Sequence, residues 1–313
     1  MLLNNSGKNK IPKKTILIFI IIVCVFMSLG VFLNGSSISK YLTSNTLKNL
    51  LIKNPSADNG MLKVYFMNVG EGDSALVLFP NGENLLIDAG HKSDGKNISG
   101  FLKRNGVKKL NYVLATHPDK DHIGGLEAVL NDFYADNIFA PDVSKDSKVF
   151  SDVTEIIQRK GLDLHRAYGG DNLYSSNGVR IDFLAPNSPL YKDTNDYSAV
   201  IKIKYKQTTF LFMGDAGETS EKEMLKRYNL SANVIKIAHH GEKSSASQAL
   251  IDSVKPQYAI ISAASYENNA PYEKVVDKLK KSGVTTFITG AARPSEALGN
   301  ILFTSDGSSI TVN

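Results

Sequence analysis

The segment from Leu110 to Gly125, LNYVLATHPDKDHIGG, sets the tightest constraint on the fold. An apolar run passes without a spacer into His117, Asp119, Asp121 and His122, then into a Gly-Gly pair and a helix-like pattern. A strand that is apolar along its whole length belongs inside a sheet covered on both faces. Its exit is a turn leading into a helix, whose N-terminus accommodates carboxylates because its free amides and dipole favour negative charge. Such a turn can fold alternate side chains toward one point. Four potential metal ligands within six positions therefore point to one site.

The rest of the chain repeats this grammar. Strands are expected in LKVYFMNVG, ALVLF and ENLLIDAG, a helix in NISGFLKRNGV closed by Gly106, then a helix in IGGLEAVLNDF and a strand in NIFAP. A helix in DVTEIIQRKG and a hairpin turning at Asn177-Gly178 follow. The later part gives the strand pair AVIKIKYKQTTFLFMGD, a helix in SEKEMLKRY, strands in NVIKIAHHG and YAIISA, and helices in SQALIDSV and PYEKVVDKLKKSG. Two strand-rich halves, each with its own helices, predict an α/β fold with sheet packed on sheet and helices outside.

The N-terminus follows different rules. Residues 15–33, TILIFIIIVCVFMSLGVFL, form 19 uncharged positions, about the length of a membrane-crossing helix. Residues 1–14 carry four lysines and no acid, a basic flank expected to stay in the cytoplasm. The alternative is a cleaved signal peptide, with Ser28-Leu29-Gly30 as the small-residue site, but the apolar run continues past it. The anchor is the preferred reading. It places the strand-rich domain at 61–313 outside the cell membrane, after a polar linker at 34–60; cleavage would release it. The net charge of +5 falls to +1 once those four lysines are set aside, leaving 32 basic against 31 acidic residues. The basicity is thus mostly topogenic, not a nucleic-acid footprint. Cys24 is the only cysteine, so a metal must be held by His and carboxylates.

Two further strand exits carry ligand types: Asp215 after FLFMG, and His239-His240 after VIKIA. Adjacent side chains on extended chain point apart, so one of the two histidines is expected as a ligand. Three strands delivering such residues at their C-terminal ends could supply one site at a sheet edge.

In order, NVGEGDS (68–74), LLIDAG (85–90), THPDKDHIGG (116–125), NDYSAV (195–200), FLFMGDA (210–216), IKIAHHG (235–241) and YAIISA (258–263) resemble the metallo-β-lactamase superfamily. The resemblance is strongest to the branch found in DNA-uptake competence proteins and in choline-phosphate esterases. It implies a four-layer αβ/βα sandwich and two divalent ions, zinc first, with manganese suited to an oxygen-rich shell. His117 and Asp119 would ligate one ion, Asp121, His122 and His240 the other, and Asp215 would bridge them. His240 is preferred over His239 because the family places this ligand just before Gly. His239 and Asp121 are then the expected catalytic residues, and Asn195 and Ser198 the expected substrate contacts. Asp73 is expected near the site, and Asp88 as a turn carboxylate or a support for a ligand. Two departures stand out: NDYS replaces a further ligand His, and Ala270 precedes Pro271 where relatives carry His.

The implied activity is hydrolysis of a phosphoester by metal-activated water, as a phosphodiesterase or nuclease, on single-stranded DNA or an envelope phosphodiester. A phosphorylcholine-type esterase and a non-catalytic metal-binding protein are the alternatives; a β-lactamase fits the ligand set poorly. With one apolar span and no oligonucleotide-binding barrel, DNA transport is not expected. No protein partner is inferable.

Overall fold

The computed structural model describes residues 60–263, 271–290 and 299–313. The described residues belong to one compact unit, Asn54–Asn313. The expected span at 15–33, nearly all of the linker and Ala270 lie outside the described residues. Among the described residues no helix is long and apolar enough to cross a membrane.

Two sheets face one another. The first contains β1 (Leu62–Phe66), β2 (Ala75–Leu78), β3 (Asn84–Ile87), β4 (Leu110–Leu114), β5 (Ala135–Ala140) and β6 (Leu164–Arg166). The second contains β7 (Asn172–Ser176), β8 (Val179–Ala185), β9 (Val200–Tyr205), β10 (Thr208–Phe212), β11 (Val234–Lys236), β12 (Tyr258–Ile261) and β13 (Thr285–Ile288). The chain then returns to the first sheet with β14 (Ile301–Ser305) and β15 (Ile310–Val312). The orders are β15-β14-β1-β2-β3-β4-β5-β6 and β13-β12-β11-β10-β9-β8-β7. Each sheet has an antiparallel half and a parallel half; β3 to β6 run parallel in one, β10 to β13 in the other.

The continuous apolar strands are explained by burial on both faces. Val77, Leu85, Ile87, Phe210 and Phe212 meet in the layer between the sheets. Their neighbours Leu76 and Leu86 pack under α1 (Gly95–Arg104), α3 (Leu126–Asp132) and α4 (Lys148–Lys160). Leu211 and Met213 pack under α5 (Glu218–Arg227), α6 (Gln248–Val254) and α7 (Glu273–Lys281). The result is helix, sheet, sheet, helix. Each fully buried Leu, Ile or Phe contributes roughly 1.5–3 kcal/mol, so the apolar strands dominate the stabilisation.

Local signals act as expected at several ends. Asn177 and Gly178 both take left-handed φ, 52° and 78°, and join β7 to β8 as a tight hairpin. Ser147 caps α4 by accepting from the Phe150 amide, and Gly161 ends it in the left-handed region. One expected helix is divided: IGGLEAVLNDF becomes the last residue of the short α2 (Lys120–Ile123), the Gly-Gly pair, and α3. A side chain at Gly125 would place its Cβ 2.1 Å from the Ala89 carbonyl, and one at Gly124 2.5 Å from the Lys92 amide. The pair therefore lets this turn press against the exit of β3.

Candidate metal centre

The parallel strands all present their C-terminal ends to one edge, the position where open α/β sheets usually place their sites. Asp88 follows β3, His117 follows β4, Asp215 follows β10 and His240 follows β11. Ala199, just before β9, donates its amide to the Thr116 carbonyl and ties the two sheets together, while His239 donates to that of Gly214 and joins the exits of β10 and β11.

Three imidazoles point their Nε2 atoms at one carboxylate oxygen. Asp215 Oδ2 lies 3.2 Å from His122 Nε2, 3.5 Å from His117 Nε2 and 3.9 Å from His240 Nε2. Asp121 Oδ2 lies 3.1 Å from His240 Nε2 and 3.6 Å from His122 Nε2. Ligand atoms of Asp121, His122, Asp215 and His240 all fall within 4.8 Å of one another. His117 joins them through Asp215.

The opposite ring nitrogens fix the tautomers. The Thr116 hydroxyl donates to Asp88 Oδ2 at 2.6 Å, so it can accept from His117 Nδ1 at 3.2 Å. Asp88 Oδ2 also accepts from His122 Nδ1 at 2.8 Å, and Asp88 Oδ1 accepts from the Thr116 amide. The Ser262 carbonyl accepts from His240 Nδ1 at 3.0 Å. With every Nδ1 a donor, each neutral ring turns an Nε2 lone pair inward. His117 Nε2 and His122 Nε2 are buried and have no hydrogen-bond partner. Two orphaned buried nitrogens facing a buried carboxylate would be costly without a partner. The donor set of imidazole and carboxylate fits a divalent ion.

Electrostatics follow from this crowding. Burial opposes charge on His122, but Asp215 and Asp88 outweigh it and hold its pKa well above the usual histidine range. Burial and then the His122 charge push His117 down. His240 is raised despite burial, by its bond to Asp121 and by Asp215 and Asp73. Burial resists ionisation of Asp215, yet His122 and His117 hold it well below the carboxylate range. Asp121 is likewise held low against burial, by its bond to His240 and the His122 charge.

The other expected site residues sit at the rim or beneath. Asp119 is 27% exposed on its side chain; its Oδ1 lies 4.0 Å from His117 Nε2 and 2.7 Å from Lys145 Nζ. His239 is 31% exposed, with Nε2 4.0 Å from Asp215 Oδ2. Both histidines of the pair have left-handed backbone, φ 48° and 51°, which separates their rings: His240 inward, His239 to the mouth. The structure thus splits the pair by a strained turn, not by the alternation of extended chain. Asn195 lies 3.5 Å from His239 Nδ1. Together with Asp193, Asp196, Asp215, His239 and Glu242 it lines a cavity of about 720 Å³. Ser198, expected as a substrate contact, is instead fully buried, where its hydroxyl accepts the Asp215 amide. Its place beneath the carboxylate leaves it no face toward the cavity.

Several supporting residues were not anticipated. Asp73 does lie beside the site, but as half of a buried ion pair with Lys236, 2.9 Å apart. A lysine in the middle of VIKIA was the available signal, since a buried lysine demands a partner. Thr116 and Lys145 carried no such signal. Asp73, Asp88 and His122 also offer atoms close enough for an ion, but the Lys236 and Thr116 bonds engage both carboxylates as supports.

A four-layer sandwich with a His-Asp cluster at the strand exits defines a class of metal-binding α/β proteins. Residues 67–265 match the Metallo-beta-lactamase superfamily, and the chain belongs to it. It is 28% identical over 252 residues to ComE operon protein 3 of Bacillus subtilis, covering 72% of this chain and 32% of that protein. It is 26% identical over 222 residues to competence protein ComA of Neisseria gonorrhoeae, covering 69% and 29%. The chain therefore spans about a third of the length of these curated relatives. A CmlA beta-hydroxylase variant superposes with a TM-score of 0.50 at 12% identity, covering 72% of this chain and 52% of that one, a likeness of fold.

Proposed function

We propose that this chain is a metal-dependent phosphoester hydrolase, of phosphodiesterase or nuclease type, tethered outside the cell membrane by residues 15–33. The observation that carries the hydrolase reading is the convergence of three Nε2 atoms on Asp215 Oδ2, with two of them buried and unpartnered. Two divalent ions bound there, zinc or manganese, would supply Lewis acidity and lower the pKa of water toward neutrality. His117 and Asp119 would hold one ion, Asp121, His122 and His240 the other, with Asp215 shared. Asp88, Thr116 and the Ser262 carbonyl keep the rings oriented. His239, at the mouth and within reach of Asn195, is placed to donate a proton to the leaving group.

The resemblance to competence proteins supports single-stranded DNA as substrate. The cavity wall supports a second reading: Asp193, Glu218 and Glu242 make it acidic, which suits a cationic leaving group such as that of a phosphorylcholine-type envelope ester. One experiment separates them. The metal-loaded full chain is assayed on bis-p-nitrophenyl phosphate, p-nitrophenyl phosphorylcholine, single-stranded DNA and a β-lactam. Phosphodiester turnover that is lost with chelator and restored by zinc or manganese is expected. Turnover of the β-lactam alone would overturn the phosphoester reading. Protease accessibility of residues 61–313 on intact cells tests the tether, and protection there would refute export.

A further inference from the structure

We propose that Lys145 recognises the anionic phosphoryl group of the substrate, beside Asp119 at the rim of the metal centre. The inference deepens the phosphoester reading and rests on it. Lys145 lies in the loop between β5 and α4, and its Nζ is 2.7 Å from Asp119 Oδ1. The same oxygen is 4.0 Å from the buried, unpartnered His117 Nε2. A single carboxylate oxygen thus separates the ammonium from the inner nitrogen of the site.

The charges around the site favour this lysine. The cavity wall carries Asp193, Asp196 and Glu218 from the stretch between β8 and the start of α5, and Glu242 after β11, with Lys192 as its cation. That wall repels a phosphoryl group. Lys236 is buried and committed to Asp73. Lys145 is 39% exposed on its side chain, so it keeps contact with solvent and has ammonium donors to spare. A lysine presents three rotatable donors on a flexible stem. It can hold Asp119 with one N–H and offer another to a non-bridging phosphoryl oxygen. A partly exposed ion pair contributes little by itself, so moving donors onto a substrate costs little.

The test compares parent, Lys145→Met and Lys145→Arg as metal-loaded full chains. Metal content, KM and kcat for bis-p-nitrophenyl phosphate, and calorimetric binding of inorganic phosphate are measured. Lys145→Met is expected to keep its metal, raise KM and the phosphate Kd by at least about tenfold, and change kcat little. Lys145→Arg, which retains the charge, should recover most of the phosphate affinity. Unchanged phosphate affinity in the Met variant overturns the proposal. So does a loss of metal with normal phosphate affinity in the chains that keep it, which would make Lys145 only a holder of Asp119. If the parent turns over no phosphodiester, the functional reading fails while the phosphate arm still judges Lys145; no phosphate binding by the parent defeats this proposal.

Discussion

The floor and the rim of the centre are built by opposite means. On the floor, His117, His122 and His240 are buried, and each has its Nδ1 engaged by Thr116, Asp88 or Ser262. At the rim, Asp119, Lys145, His239 and Glu242 are partly exposed, and their pairings are ion pairs or contacts of 2.7 to 4.0 Å open to water. Buried polar chains keep one geometry because breaking any link leaves an unsatisfied group. Exposed pairs exchange partners at little cost. Metal holding is therefore expected of the floor, and substrate contact and proton transfer of the rim.

The largest expected effect tests the floor. Asp215→Asn removes the charge facing all three Nε2 atoms while preserving shape. Activity should fall by about 10²- to 10³-fold or more, the scale of losing one preorganised electrostatic group, with metal content reduced and far-UV circular dichroism unchanged. Near-normal activity would remove Asp215 from the centre. Next is the rim. His239→Asn keeps a residue that tolerates left-handed backbone but cannot shuttle a proton. A loss of about 10²-fold in kcat with full metal content is expected. If metal were lost instead, His239 would belong to the floor and the contrast would collapse.

The same contrast explains what was legible in the sequence. The floor residues come after apolar strands, and such strands announce both their burial and their exits, so His117, His122, Asp215 and the histidine pair stood out. Which histidine turns inward was not legible from strand alternation, because it depends on two successive left-handed residues. Long-range partners were hidden for a related reason. Lys236 meets Asp73 and Lys145 meets Asp119 only once the fold is closed. The four layers were readable from the strand and helix order, but the edges were not. β6 is exposed at all three positions, and β14 and β15 return to the first sheet after the chain has completed the second. No local pattern encodes that return.

A smaller effect probes the links of the floor. Asp88 has φ 56°, which Asn accepts, so Asp88→Asn spares the backbone. It replaces the acceptor of the His122 Nδ1 proton, and metal affinity should weaken by about 10- to 100-fold. A chelator competition measures this, and unchanged affinity would reduce Asp88 to a turn residue.

The smallest effect is a slope with pH. In the metal-free centre Asp215 and Asp121 stay ionised well below the carboxylate range, so they do not titrate near neutrality. His122 and His240 are raised, so protons occupy them to higher pH than an ordinary histidine. A divalent ion needs their Nε2 lone pairs and must displace those protons. Lowering the pH adds competitor without adding ligand charge, so metal affinity should fall as pH falls, by about tenfold per unit for each proton displaced. Calorimetric titration at pH 7 in buffers of different ionisation enthalpy should register release of about one proton per chain or more. Binding without proton release would place the ion away from the His122–Asp215 pair, at the rim, and reverse the assignment of the two regions.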